Sequence, residues 1–219
     1  MKITFISDAH GNLNFKIQPC ELLIMAGDMC PSTHNGMESI ILQENWLRTR
    51  FKTWLSKQPF NECIFVAGNH DWIFDLAPEL VPKIHPNFNY LCDESIDILG
   101  LKVYGTPQQK KFNKWAFNRT SRQLKMYYSN IPENLDILIS HTPVHNIFDY
   151  VINRNRRIGC TILEKKLNEL RLPPKIFVSG HNHDDYGIMK INKTTYINCS
   201  LLNGDYEMVK KPITLNYKE

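Results

Sequence analysis

Short apolar runs rich in β-branched residues recur along the whole chain, and stretches with helical spacing lie between several of them. Runs of this length, bounded by turn residues, are typical of buried strands. The predicted strands cover residues 3–7, 22–26, 63–67, 96–104, 135–140, 175–179, 187–191, 194–199 and 213–217. Apolar spacing of three and four predicts helices over residues 38–57, 114–128 and 160–170. This alternation predicts an α/β fold built in layers.

The first predicted helix, over residues 38–57, carries most of its large apolar side chains on one side. We expect that side to be buried against the sheet. Its members are Ile41, Trp46, Phe51, Trp54 and Leu55.

The composition is that of an ordinary globular chain, with 42% hydrophobic residues, 22% charged residues and a net charge of +4. No linker-like segment and no internal repeat interrupts the 219 residues, which predicts one domain over residues 1–219. The longest apolar runs are about five residues, far below the about 18 that a bilayer span needs, so we expect no membrane association. The chain opens into a strand without the pattern of a secretory leader, which predicts a cytoplasmic protein.

Six cysteines are scattered along the chain without any Cys-x-x-Cys pair. This spacing excludes a zinc ribbon and a thioredoxin-type redox motif. Because a cytoplasmic location is expected, we predict that the thiols are reduced and buried.

Five of the predicted strands end in residues that can bind a metal ion. In an α/β sheet, ligands bind beyond the carboxyl ends of the strands, so side chains at these ends can converge on one place. Three of the polar blocks follow a glycine, which lets the backbone approach a metal or phosphate closely. The seven candidate ligands are Asp8, His10, Asp28, Asn69, His141, His181 and His183.

The number and spacing of these candidates indicate two metal ions. Asp8 and His10 are two residues apart, as are His181 and His183, so each pair can face one cluster from an extended segment. Seven ligands exceed a tetrahedral zinc site and suit two metals that share a carboxylate. Carboxylate, amide and imidazole donors without thiolate favour Mn, Fe, Zn, Co or Ni. Of the other four histidines, His70 directly follows Asn69 at a strand end, whereas His34, His85 and His145 lack this context and are expected at the surface or behind the ligands.

Read in chain order, these blocks resemble the motif series of the calcineurin-like metallophosphoesterases. The blocks are Asp8-x-His10, Gly27-Asp28, Gly68-Asn69-His70-Asp71, His141 and Gly180-His181-Asn182-His183. Further stretches resemble one subgroup, the small metallophosphoesterase-domain proteins related to class III cyclic-nucleotide phosphodiesterases. Those stretches are residues 103–107, 115–118, 157–160, 186–188 and 195–198.

The resemblance implies a four-layer αββα sandwich, in which helices flank two mixed β-sheets, as a single metallophosphoesterase domain over residues 1–219. It also implies two divalent metal ions, with Mn²⁺ as the first ion to test in vitro. By motif position, Asp28 bridges the two metals. The first metal would be bound by Asp8, His10 and His183, and the second by Asn69, His141 and His181.

The same resemblance implies hydrolysis of a phosphoester by a hydroxide held between the two metals. His70, next to the ligand Asn69, would donate a proton or hydrogen bond to the phosphate, with Asp71 holding its imidazole. An alternative role for Asp71 is to cap the helix that follows.

The expected substrate is a small phosphoester, with a phosphodiester such as a 2′,3′-cyclic nucleotide as the first choice. The alternatives are a phosphomonoesterase or general phosphatase, a nuclease, and a metal-stabilised nucleotide-binding scaffold without turnover. The nuclease is less favoured, and it would use the basic segment over residues 110–125, where Phe112, Trp115 and Phe117 could stack bases.

Overall fold

Two β-sheets face each other at the centre of the structure, a computed structural model that describes residues 1–33 and 35–218. Helices cover the outer face of each sheet. Within the described residues the strands are β1 (Lys2–Ile6), β2 (Cys20–Ala26), β3 (Phe60–Val66), β4 (Phe88–Tyr90), β5 (Glu94–Ile98), β6 (Leu101–Thr106), β7 (Gln109–Lys110), β8 (Asn118–Arg119), β9 (Ile137–Ser140), β10 (Tyr150–Val151), β11 (Arg156–Arg157), β12 (Ile176–Ser179), β13 (Gly187–Ile191), β14 (Thr194–Asn198) and β15 (Ile213–Asn216).

Both large sheets are mixed. The first has the order β15-β1-β2-β3-β4, in which only β15 is antiparallel to its neighbour. The second has the order β13-β14-β12-β9-β6-β5, with antiparallel pairs at its two edges. Two short pairs, β7-β8 and β10-β11, lie outside these sheets.

The core follows from the alternation of side chains along each strand. In β2, Leu22 and Ile24 face the second sheet and pack with residues such as Ile139. The intervening residues of β2, Leu23 and Met25, pack on the other face against the helices. Each fully buried aliphatic side chain of this kind contributes about 1.5–3 kcal/mol.

The helices are α1 (Gly36–Trp46), α2 (Lys52–Leu55), α3 (Trp72–Leu76), α4 (Ser121–Ser129) and α5 (Thr161–Glu169). A π-helical segment (Leu47–Phe51) joins α1 to α2, and two short 3₁₀ segments cover Pro78–Leu80 and Ile152–Arg154. The first three helices cover the first sheet, and α4 and α5 cover the second. The predicted four-layer αββα fold is confirmed.

Several predicted element boundaries differ from the structure. The run over residues 96–104 is two antiparallel strands, because Leu99 and Gly100 turn the chain with φ of 51° and 80°. The helix expected from residue 114 begins at Ser121, where Thr120 and Gln123 form a capping box.

The predicted helix over residues 38–57 contains the π-helical segment, which regular helical spacing does not anticipate. Its i→i+5 turn brings residues five apart together, so the rings of Trp46 and Phe51 stack with centroids 4.9 Å apart. The expectation that Ile41 is buried is wrong, because its side chain lies on the outer side of α1 and is 71% exposed.

All six cysteines are free thiols, and five of them are buried. Cys92 is exposed, in contrast to the prediction. In the described part of the chain, the helices are too short or too polar to cross a bilayer.

Candidate metal centre

The seven predicted ligands lie together where five strands end. Strands β1, β2 and β3 are parallel neighbours in the first sheet, and β9 and β12 are parallel neighbours in the second. Parallel strands end at the same edge of a sheet. A bridge between Ser7 and Ser200 joins the two sheets at that edge.

The first group of candidate ligands consists of Asp8, His10 and His183, with one donor atom from each within 4.8 Å of the others. His183 Nε2 lies 3.2 Å from Asp8 Oδ1, and its Nδ1 lies 3.1 Å from the carbonyl oxygen of Asn203. Because a carbonyl only accepts hydrogen bonds, Nδ1 holds the hydrogen in the neutral ring. The lone pair of Nε2 is then free to bind a metal.

The second group consists of Asp28, His141 and His181, again with donor atoms within 4.8 Å. His141 repeats the arrangement of His183, since its Nδ1 lies 2.8 Å from the carbonyl oxygen of Ala26. Its Nε2 lies 3.2 Å from both Asp28 Oδ2 and Asn69 Oδ1. Asn69 therefore belongs to this second group.

Asp28 connects the two groups. Its Oδ2 lies 3.2 Å from His141 Nε2 on one side and 3.8 Å from His10 Nε2 on the other. A carboxylate between two sets of imidazoles is the arrangement that a bridging ligand of two cations requires.

The backbone is distorted to bring these side chains together. Asp8, His10, Asp28 and His181 all have positive φ, between 44° and 66°. Non-glycine residues adopt this conformation rarely and at a cost, and such strain is concentrated at functional sites.

Gly68 and Gly180 allow two ligand segments to approach each other. A Cβ atom at Gly68 would collide with the Asp28 carboxylate, and one at Gly180 would collide with the side chains of Ser7 and Asp8. These glycines are required by the close packing around the two carboxylates.

The burial of the site shifts the pKa values of its ionisable groups. Burial opposes the charged form of His141, but the Asp28 carboxylate outweighs it and raises the pKa of His141 to about 9. Burial lowers the pKa of His10 to about 4 and, with the charge of His141, lowers the pKa of His181 to about 3. In the absence of metal, the protonated His141 imidazole therefore compensates the negative charge of the Asp28 carboxylate.

Metal loading is expected to release at least one proton per chain at about pH 8, because the His141 imidazole must be neutral to bind a metal. The release should fall as the pH rises above the pKa of about 9, where His141 is already neutral. Calorimetry in buffers with different ionisation enthalpies measures this proton. A binding enthalpy that is identical in all buffers at about pH 8 would contradict this assignment.

The residues fit a pair of divalent ions. His10 Nε2 is buried and, among the described residues, has no hydrogen-bond partner. Buried polar atoms in proteins are nearly always satisfied, so this nitrogen calls for a ligand that the protein chain does not supply. A bound cation at the first group would satisfy it.

His70 lies at the same edge, with its ring centroid 4.7 Å from that of His10 and 4.1 Å from that of Trp115. It joins His10 and Asp28 in a third overlapping group. Its imidazole forms a hydrogen bond with Ser32, whose Oγ lies 2.6 Å from His70 Nδ1. Ser32 was not predicted, because it follows β2 by six residues and belongs to no motif block.

Asp71 has a different role from the expected contact with the His70 ring. Its carboxylate accepts the backbone N–H groups of Asp28 and Gly68 at 2.7 Å and of Cys30 at 2.9 Å. Its side chain makes no cap hydrogen bond to α3, which it precedes. Burial and the neighbouring Asp28 raise the pKa of Asp71 to about 7. Asp71 thus holds together the two loops that carry Asp28 and Asn69.

Replacing Ser32 with alanine is expected to lower kcat on poorly activated esters by about tenfold, because the His70 ring loses the contact that orients it. KM and metal content should not change. Ser32→Thr keeps a hydroxyl and should restore most of the rate. If the threonine variant is as slow as the alanine variant, the hydroxyl does not orient His70.

A cleft of about 650 Å³ opens onto both groups. Tyr206 lines it, with its ring centroid 5.0 Å from those of His10 and His183. Tyr206 was not predicted, because it lies in a polar turn, which Asn203 Oδ1 stabilises by accepting the N–H groups of Asp205 and Glu207.

Three predicted histidines lie outside these groups or outside the described residues. His145 Nδ1 lies 3.2 Å from Asp149 Oδ2, and the His85 ring packs against Phe60. His34 lies outside the described residues.

Comparison with known proteins identifies the family. Residues 1–185 match the Metallophos family, described as calcineurin-like phosphoesterase. The chain belongs to this family. A calcineurin-like phosphoesterase is a metal-dependent hydrolase of phosphoesters. The match therefore confirms the family predicted from the sequence motifs and the reaction class, which is metal-dependent hydrolysis of phosphoesters.

Relatives of this calcineurin-like phosphoesterase include human metallophosphoesterase domain-containing protein 1, which is 32% identical over 96% of this chain and 69% of its own length. A UPF0046 protein of Caenorhabditis elegans is 30% identical over 90% of this chain and 54% of its own length.

Solved structures share the fold. One has a TM-score of 0.67 and 15% identity over 90% of this chain and 89% of its own. The putative 5′-nucleotidase of Staphylococcus aureus, in complex with alpha-ketoglutarate, has a TM-score of 0.53 and 14% identity over 90% of this chain and 48% of its own. At this level of identity, the likeness concerns the fold alone.

Proposed function

We propose that this chain is a phosphodiesterase with two divalent metal ions, acting on small nucleotides such as 2′,3′-cyclic nucleotides, with residues 1–219 as one catalytic domain. The observation that carries the proposal is the position of Asp28, which belongs to one ligand group with His141 and His181 and to another with His10 and His70, and so connects the two sets of candidate ligands. In each group one histidine, His141 or His183, places its Nδ1 against a backbone carbonyl and directs its Nε2 to a carboxylate.

In this proposal Asp8, His10 and His183 hold one ion, and Asn69, His141 and His181 hold the other. The donor set contains no thiolate, so it suits Mn, Fe, Zn, Co or Ni, and the family resemblance makes Mn²⁺ the first ion to test. When bound, such ions lower the pKa of a water toward neutrality and offset the negative charge of the phosphoryl oxygens.

His70 would donate a proton or hydrogen bond to the leaving oxygen. Burial lowers its pKa, so the ring is neutral near pH 7. If Ser32 donates its hydroxyl hydrogen to Nδ1, the remaining hydrogen of the neutral ring is on Nε2. From there it can face a phosphate in the cleft, which His70 also lines.

The experiment that tests the proposal is a substrate panel on the Mn²⁺-loaded chain. Bis-p-nitrophenyl phosphate, p-nitrophenyl phosphate and 2′,3′-cyclic nucleotides are compared by kcat/KM. A preference for the diesters supports the proposal, whereas a preference for the monoester would make the chain a phosphomonoesterase. Bound metal without turnover of any substrate would favour a non-catalytic scaffold.

A further inference from the structure

Five cationic side chains line the cleft beyond the two ligand groups, and one of them, Arg157, forms an ion pair with Asp149. The other four are Lys110 and Lys111 on one segment and Arg154 and Arg156 on another. All four are exposed, and no carboxylate within residues 1–33 and 35–218 lies at ion-pair distance from them. Asp184 also lines the cleft, but its Oδ2 already accepts the N–H of Ile152.

The two arginines belong to the hairpin formed by β10, the 3₁₀ segment and β11, here called the arginine hairpin (residues 150–157). This hairpin is attached to the loop that carries His181 and His183. The buried Asn182 donates its Nδ2 hydrogens to the carbonyls of Phe148 and Tyr150, both at 3.1 Å. Asp185 Oδ2 accepts the N–H of Tyr150 at 3.0 Å. The arginines are therefore held at a fixed place relative to the candidate ligands.

The two lysines belong to a second segment, here called the lysine loop (residues 109–119). The N–H of Ala116 donates to the carbonyl of Asn69 at 3.1 Å, and the N–H of Phe117 donates to Asp75 Oδ2 at 2.7 Å. Asn118 closes the loop by donating to the carbonyl of Phe112 at 2.9 Å. The lysine loop is thus fixed to the segment that carries the candidate ligand Asn69.

The lysine loop also places aromatic rings beside the site. The Phe112 ring lies 5.5 Å from the His181 ring, and Trp115 lies against His70. Both rings line the cleft, whereas Phe117 is buried in the core. Cations that follow a backbone and aromatic rings that accept bases are the two components of single-strand binding sites.

A single phosphate in the ligand groups would not use these four cations. We propose that the lysine loop and the arginine hairpin bind the phosphates on either side of the scissile one, so that the substrate class includes short single-stranded oligonucleotides. This inference rests on the proposed phosphodiesterase and extends its substrate from one phosphate to a chain of phosphates.

The test is the binding of a fluorescein-labelled ten-nucleotide oligothymidylate to the full chain, followed by fluorescence anisotropy. A chelator is present so that no strand is cut, which makes binding independent of turnover. With four phosphate contacts, affinity should fall about fifty-fold between about 50 and 200 mM salt, since each contact adds about −0.7 to the logarithmic slope.

The variants Lys110→Ala/Lys111→Ala and Arg154→Ala/Arg156→Ala each remove two of the four cations. Each variant should bind the oligonucleotide more weakly than the unchanged chain, and its affinity should fall only about sevenfold over the same salt range. The matched control is Arg122→Ala/Lys125→Ala, which removes two exposed cations of α4 that do not line the cleft. Circular dichroism checks that all variants are folded.

Binding that is insensitive to salt, or equal effects of the control and the two test variants, would overturn the inference. The inference would also be overturned if a nucleoside triphosphate, at the same concentration as the oligonucleotide, displaced it completely, because a nucleoside triphosphate has no chain of phosphodiesters. The proposed phosphodiesterase activity is tested separately, since turnover of bis-p-nitrophenyl phosphate does not depend on the oligonucleotide result.

Discussion

Replacing Asp28 with asparagine is expected to lower phosphodiester hydrolysis by on the order of 1,000-fold, which corresponds to about 4 kcal/mol of lost transition-state stabilisation. Asp28 lies between the two candidate ligand groups, with its Oδ2 3.8 Å from His10 Nε2 and 3.2 Å from His141 Nε2. An amide keeps the size of the side chain but removes the negative charge that two nearby cations require. The bound manganese should therefore fall from two ions per chain toward one or none, as measured by mass spectrometry of the dialysed protein.

The matched control for this variant is Asp136→Asn. Asp136 precedes β9 at the opposite end of the strand from His141, and its Oδ1 lies 2.8 Å from Lys175 Nζ. Its removal should leave metal content and turnover unchanged. If Asp28→Asn keeps two ions and wild-type turnover, Asp28 does not bridge a metal pair.

Replacing His70 with alanine is expected to keep both metal ions and to reduce turnover of poorly activated diesters by about 100-fold or more. A p-nitrophenolate leaving group is stable without protonation, so bis-p-nitrophenyl phosphate should be affected far less than a dinucleotide or a cyclic nucleotide. The ratio of kcat for the two kinds of ester measures the contribution of His70 to the leaving group.

His85→Ala is the control for this second variant, because His85 packs against Phe60 away from both ligand groups. This variant should change kcat for neither kind of ester. An equal loss on activated and poorly activated esters in His70→Ala, accompanied by lost metal, would mean that His70 is a ligand. No loss on either ester would exclude it from the reaction.

The position of the candidate ligands could be predicted from the sequence, because strand ends are local features that the sheet brings together. Asp8, Asp28 and His141 each follow directly or within two residues of an apolar run, and parallel pairing then places them at one edge. No long-range contact had to be known in advance.

The residues that contact the candidate ligands and His70 from other loops could not be predicted in this way. Ser32 reaches His70 across 38 residues, and Asp71 reaches Asp28 across 43. Tyr206 reaches the site from a turn whose sequence indicates only a surface loop. Contacts of this kind depend on how the loops fold over the sheet edge, which neither propensity nor spacing encodes.

The helical layer shows a similar limit. The apolar pattern of residues 38–57 was interpreted with a regular period, whereas Leu47–Phe51 form a π-helical segment that rotates the faces before and after it. Ile41 and Trp46 both precede this segment, and in the regular helix α1 they are five residues apart, which places them about 140° from each other around the axis. Ile41 is therefore exposed while Trp46 is buried.

Anomalous diffraction from crystals of the manganese-loaded chain tests whether two metal ions share Asp28. We expect two anomalous peaks that both contact Asp28, one also bound by Asp8, His10 and His183 and the other by Asn69, His141 and His181. A single peak, or two peaks of which neither contacts Asp28, would contradict this expectation.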